Sequence, residues 1–133
     1  MQDSELEIVH LRSGWGSPQD IRFRLTSVSR QLVDRPHLWR PPTDLFETTS
    51  AYVVRVEIAG MQDAELNIAV EERQIAIYGL RQPPAEHAAY HQLEVRFGDF
   101  LTSLELPGRV DSDHIKANYQ DGFLLVTLPK VAA

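Results

Sequence analysis

The sequence predicts an antiparallel β-sandwich on three observations. Apolar residues alternate with polar ones over most of the chain, turn signals separate the alternating runs, and from Thr43 onward no long helical period intervenes. Tyr52, Val54, Val56 and Ile58 alternate with Val53, Arg55 and Glu57; Leu66, Ile68 and Val70 alternate with Asn67, Ala69 and Glu71. Side chains of a strand point to opposite faces in turn, so each run buries one face. Ile75 and Ile77, then Leu104 and Leu106, then Ile115, Ala117 and Tyr119, then Leu124, Val126 and Leu128 repeat the pattern. Ala59-Gly60, Glu72-Arg73, Pro107-Gly108 and Asp121-Gly122 supply the turns. Asp121-Gly122 is the sharpest of these, because a tight hairpin demands positive φ and glycine adopts it without penalty.

Two regions depart from this pattern. From Leu80 to Tyr90, "LRQPPAEHAAY", two prolines and small residues break regular pairing, and the segment is longer than a hairpin needs; it reads as a protruding loop. Residues 1–38 form an arm of different periodicity. Ser17-Pro18-Gln19-Asp20 resembles a helix start, with a cap, a first-turn proline and an acidic residue at the positive end of the dipole. Ile21, Leu25, Val28 and Leu32 follow at intervals of four, three and four, so the spacing predicts an amphipathic helix over about 18–33. Its apolar stripe packs on its own domain or a sister subunit, or is a sticky arm offered to other proteins. Arg35-Pro36 ends it and Pro41-Pro42 gives a stiff lead into the first strand.

Length and composition bound the function. A chain of 133 residues carries one core. The net charge of -6, with Lys and Arg scattered, gives no footprint for nucleic acid, and no apolar run is long enough to span a bilayer as a helix. Cysteine is absent, which excludes thiol catalysis and fits a reducing compartment; with an acidic start and no signal-type apolar core, the expectation is a cytoplasmic protein.

Candidate chemistry is thin. His87 and His91 have helical metal-ligand spacing, but they follow Pro83-Pro84, and Ala88 stands where a zinc protease motif has glutamate. Ser112-Asp113-His114 has the letters of a triad, yet neighbours on an extended chain point apart. Glu71-Glu72, Glu86 and Glu94 read as solvated charge, and the dispersed glycines form no phosphate loop. No catalytic residue, metal or cofactor is expected. Open sheet edges that pair with another chain's backbone remain as the functional surface.

From Trp39 to Lys130 the residues resemble the α-crystallin domain of small heat-shock proteins. "WRPPTDLFETTSAYVVRVEIAGM" is similar to the family's opening strands, "IAIYGLR" to its middle strand and "GDF" to its glycine-phenylalanine landmark; "LELPGRVDSDHIKANYQDGFLLVTLPK" is similar to its closing portion. The last segment is the most specific, through Leu106-Pro107, Ile115-Lys116-Ala117, Asp121-Gly122, Leu124 and Leu128-Pro129-Lys130. Four positions depart from the pattern. Ala59 stands for the usual proline, Leu80 for glutamate, Val95 for arginine and Thr102 for a basic residue, which removes charges the resemblance would place at a dimer interface.

The resemblance implies an immunoglobulin-like sandwich over 39–130 in a homodimer of the bacterial, strand-exchanged type. A strand at about Ala88 to Leu93, including Tyr90 and His91, would pair with about Asp44 to Thr48, including Phe46. It also implies a groove lined by Leu66, Ile68, Val70, Leu104 and Leu106, into which the family's C-terminal Ile-x-Ile tail docks to build larger oligomers. Here only Val131-Ala132-Ala133 follows Lys130, and Leu6-Glu7-Ile8 has the spacing to substitute. The implied function is an ATP-independent holdase that covers partly unfolded proteins before they aggregate, with Ile21, Phe23, Leu25, Val28 and Leu32 as client contacts. The alternative is a dimeric adaptor or co-chaperone module with fixed partners.

Overall fold

The computed structural model describes residues 11–13, 22–26, 38–61 and 65–132. Among the described residues there are nine strands: β1 (Leu11–Ser13), β2 (Arg22–Thr26), β3 (Thr43–Glu47), β4 (Ala51–Glu57), β5 (Glu65–Glu71), β6 (Gln74–Arg81), β7 (Gly98–Glu105), β8 (Lys116–Gln120) and β9 (Phe123–Pro129). A single turn of 3-10 helix, Ser112–His114, precedes β8. The strands form two sheets, of order β1-β8-β9-β4-β3 and β2-β5-β6-β7. The pairings between these strands are antiparallel except at one margin of each sheet, where β1 adds to β8 and β2 adds to β5 in parallel.

The period-two residues face one another across the sandwich. From the first sheet come Val54 and Val56 of β4, Leu124, Val126 and Leu128 of β9, and Ala117 and Tyr119 of β8; from the second come Leu66, Ile68, Ile75, Ile77 and Phe100. Fully burying a side chain of this size contributes roughly 1.5–3 kcal/mol each, which is what offsets the ordering of the strands. A tight turn sets the register of β8 on β9. Asp121 (φ 54) and Gly122 (φ 82) both take positive φ between β8 and β9, as the hairpin signal predicts. A methyl group at Gly122 would also sit 3.2 Å from the Ala59 side chain, a tight contact added to the strain of its positive φ. At Gly108 the constraint is contact alone: an added Cβ would lie 2.5 Å from the Tyr52 hydroxyl.

The helix expected over about 18–33 is corrected where the structure describes it. Arg22–Thr26 is a strand paired to β5 in the register Phe23↔Leu66 and Leu25↔Ile68. The reason is in the residues: Phe23 and Leu25 alternate with Arg22, Arg24 and Thr26, so this stretch satisfies period two as well as the wider helical spacing. The unpaired backbone of β5 then tips the choice. Ile21, Val28, Leu32 and the Leu6-Glu7-Ile8 segment lie outside the described residues.

One core polar group makes stability depend on alkaline pH. The Tyr119 hydroxyl, on a residue 2% exposed, donates to the Ile58 carbonyl at 2.8 Å, and burial raises its pKa above the ordinary value of 10.0. The folded state therefore holds its proton more tightly than the unfolded chain. The associated stability is complete below pH 10 and falls as pH rises from there toward the folded pKa. Tyr119→Phe should flatten this alkaline limb, as read by urea midpoints between pH 8 and 11, while losing about 1 kcal/mol at neutral pH through the missing hydrogen bond.

Candidate functional site

The candidate site is a surface made of sheet margins and one loop. β3 is the outer strand of the five-stranded sheet and among the described residues is paired only with β4. Asp44 is ion-paired with Arg55 at 2.7 Å, and Leu45 and Phe46 are both exposed. The guanidinium of Arg55 lies 5.1 Å over the Phe46 ring, and Lys130 reaches Glu47 at 2.5 Å, so both ends of β3 are fastened while its free edge stays open. The segment expected to exchange, Ala88 to Leu93, forms no strand within this chain, and Ala88, Tyr90, His91 and Leu93 are all exposed. Leu93 and Val95, separated by Glu94, are 73% and 69% exposed, which is high for two large apolar residues so close on one loop.

Arg81 fixes the base of that loop. Its guanidinium lies 4.6 Å over the Trp39 ring and 5.3 Å over the Phe97 ring, donates to the Arg96 carbonyl through Nε and Nη2, and reaches the Ala59 carbonyl at 3.3 Å. Burial lowers its pKa, yet the group stays charged, and two aromatic faces and two carbonyls surround the cation. Trp39 is held in turn by backbone bonds to Asp99 and Leu101 and by its indole N–H on the Gly98 carbonyl. Arg81→Ala should cost about 1–3 kcal/mol and speed trypsin cleavage within 82–97 while leaving cleavage elsewhere unchanged. Arg81→Lys should not restore it, since an ammonium cannot lie flat on two rings.

The charge missing at position 102 is supplied from the segment that leads into β3. Thr102 points into the core, 2% exposed; its hydroxyl lies 2.7 Å from that of Thr43 and accepts from Arg40 Nε at 3.1 Å. A guanidinium thus reaches position 102 from the chain just before β3, and no buried hydroxyl is left unpaired there.

The groove residues divide. Leu66, Ile68 and Leu106 are fully buried, and Val70 and Leu104 pack at the rim of the core. Beside them a cleft of about 230 Å³, lined by Val70, Glu72, Arg109, Val110, Ser112 and Val131, spans the gap between the end of β5 and the approach to β8. Its charged lining residues are Glu72 and Arg109.

The triad letters at Ser112-Asp113-His114 are a capped turn. Asp111 accepts from the Asp113 backbone N–H, and its Oδ2 lies 2.7 Å from His114 Nδ1 in solvent; the histidine first, then that N–H, hold the Asp111 carboxyl below its ordinary pKa. His114 thus faces Asp111 rather than Ser112. Among the described residues no three His, Asp or Glu side chains gather as a metal site would require, and no helix there is long and apolar enough to cross a membrane.

Comparison with known proteins decides the family. The sequence matches the Hsp20/alpha crystallin family over residues 44–133, well over half of the chain. The chain belongs to the Hsp20/alpha crystallin family. Among its relatives, Small heat shock protein C2 of Rickettsia felis is 33% identical over 92 residues, 68% of this chain and 60% of that protein. The 19.0 kDa class II heat shock protein of Oryza sativa subsp. japonica is 32% identical over 124 residues, 85% of this chain and 71% of that one. Heat shock protein 16.0 of Schizosaccharomyces pombe superposes with a TM-score of 0.63 at 27% identity, covering 80% of this chain and 78% of that chain. A small heat-shock protein of Xylella fastidiosa, described as having a distinct high order structure, gives 0.62 at 27% identity over 71% and 89%. The chain spans about 60% of the length of the Rickettsia relative. Within this family the sandwich, the β8–β9 hairpin and the Leu128-Pro129-Lys130 ending were legible from sequence; the Arg81 clamp and the Arg40–Thr102 contact were not.

Proposed function

We propose that this protein is an ATP-independent holdase that acts as a homodimer, capable of larger assembly, on partly unfolded proteins. The observation that carries the reading is the pairing of an unfilled strand edge with an unpaired apolar segment: β3 exposes Leu45 and Phe46, and the loop exposes Tyr90, Leu93 and Val95. In the dimer, Ala88 to Leu93 of each copy adds to Asp44–Thr48 of the other, which satisfies both edges at once. Clients are held by the same physics. An unfolded chain presents apolar side chains and unpaired backbone, and the arm residues Ile21, Phe23, Leu25, Val28 and Leu32 together with the groove strands cover them. Association through apolar area at roughly 25 cal/mol per Å² needs no fixed geometry, so many sequences are accepted and no bond is made or broken.

Family membership supports this reading. The test is light scattering of heat-unfolding citrate synthase at a molar ratio near one without nucleotide. Suppression unchanged by added ATP is expected. Continued aggregation at tenfold excess would favour an adaptor with fixed partners.

A further inference from the structure

Arg81 touches both halves of the exchange within one chain. On the accepting side it stacks on Trp39, whose backbone is bonded to Asp99 and Leu101 and whose indole N–H donates to the Gly98 carbonyl. Only residues 40–42 separate Trp39 from Thr43 at the start of β3, and two of them are prolines of fixed φ, so the place of the ring sets the place of the β3 edge. Arg40 on Thr102, and the Pro42 carbonyl accepting from the Glu57 N–H, fasten the same stretch. On the giving side the guanidinium stacks on Phe97 and donates to the Arg96 carbonyl through two N–H groups. Leu93 lies four residues before Phe97, a reach of at most about 14 Å, and within the loop Tyr90 donates to Glu86 rather than to the sandwich. From this we infer that Arg81 is the positioning residue of the homodimer: it fixes where the exchanged segment leaves the sandwich relative to the edge that receives the partner's segment. This rests on the homodimer reading, and names the residue on which closure of that dimer depends.

A two-fold dimer is self-complementary, so both seams form only when the path from each chain's loop base to its own β3 matches the same path in the other chain. The first seam is an encounter between separate molecules. The second is intramolecular, and its strength depends on the effective concentration of the remaining loop at the remaining edge. A base held by one cation between two rings and two carbonyls keeps that concentration high, whereas a loose base spreads the loop over many directions and must be ordered on association. Gly98 acts in the same sense. Its φ of 98 lies where other residues rarely go, while an added Cβ would meet nothing within 4 Å, so the direction of the backbone and not space calls for glycine. The chain thus turns at Gly98, the register partner of Arg81, directly after the two residues that Arg81 clamps. The guanidinium also reaches the Ala59 carbonyl, which ties the clamp to the corner that follows β4, the strand on which β3 lies.

Sedimentation velocity of the full chain over a concentration series reads the dimer dissociation constant. Arg81→Lys keeps the charge but cannot lie flat between two rings, and is expected to raise the constant by about tenfold or more while the circular dichroism stays that of the wild type. Phe97→Ala removes one wall of the clamp from a position 39% exposed, outside the core, and should raise the constant by about threefold or more. A double-mutant cycle separates positioning from direct contact with the partner. With Arg81→Lys in place, Phe97→Ala should add less than about twofold, because the clamp acts as a unit; a ring that touched the partner itself would add its full effect again. An unchanged constant in Arg81→Lys, or full additivity in the double variant, overturns the inference. Should Arg81→Lys not fold, Phe97→Ala decides alone, and an unchanged constant there overturns it. A wild-type protein that sediments as a monomer overturns the homodimer reading itself, and this inference with it.

Discussion

Replacing residues 83–94 by a short Gly-Ser linker converts the protein to a monomer, with the dimer dissociation constant rising on the order of 100-fold or more. Nothing in the sandwich opposes the change. Arg81 and Gly98 are register partners, so the β6–β7 hairpin is closed at that point, and Arg96 and Phe97, which Arg81 holds, are retained. What disappears is the apolar row of Tyr90 and Leu93 that β3 of a partner would receive, leaving the edge at Leu45 and Phe46 uncovered. Sedimentation velocity reads the result directly: the wild type should run at about twice the 15.1 kDa chain mass or above, and the variant at the chain mass with unchanged circular dichroism. A variant that sediments with the wild type would remove the exchanged dimer from the account.

Phe100→Ala should be the most damaging single substitution, costing about 3–5 kcal/mol. The ring is fully buried at the crossing of β6, β7 and the Trp39 bridge, 5.6 Å from the Trp39 ring centroid. Its position is hard to repack. On β6 the residue directly across is Gly79, which has no side chain to lean into a void, and Leu66 beyond it is fixed on β5. Loss of the ring also loosens Trp39 and so the stack on Arg81 that fixes the loop base. For a domain of this size the melting temperature should fall by at least about 12 °C, measured by calorimetry. Phe100→Leu, which keeps much of the volume, should recover more than half of it.

The features that sequence made legible are those set by near neighbours. Alternation in Tyr52 to Ile58 and Leu66 to Val70 specifies which face is buried, and Asp121-Gly122 specifies a turn, because both depend on residues one to four apart. The arm shows where this fails. Ile21, Leu25, Val28 and Leu32 satisfy the helical period while Ile21, Phe23 and Leu25 satisfy period two, and local pattern cannot choose between them. The β5 edge, distant in sequence, chooses strand for Arg22–Thr26. The same distance hid Arg81, whose ring partners Trp39 and Phe97 come from opposite sides of it in the chain, and Arg40, which reaches Thr102 only after β7 is laid beside the segment leading to β3. Thr102 as a departure from the family pattern was visible; its compensation was a fact of three-dimensional packing.

Amide exchange with and without heat-unfolded citrate synthase tests the central claim, that sheet margins and apolar arms hold non-native chains. The account predicts that amides of β2 and β5 exchange more slowly in the complex than in the free protein. A complex in which β2 and β5 exchange as fast as in the free protein, with new protection confined to other strands, would contradict it.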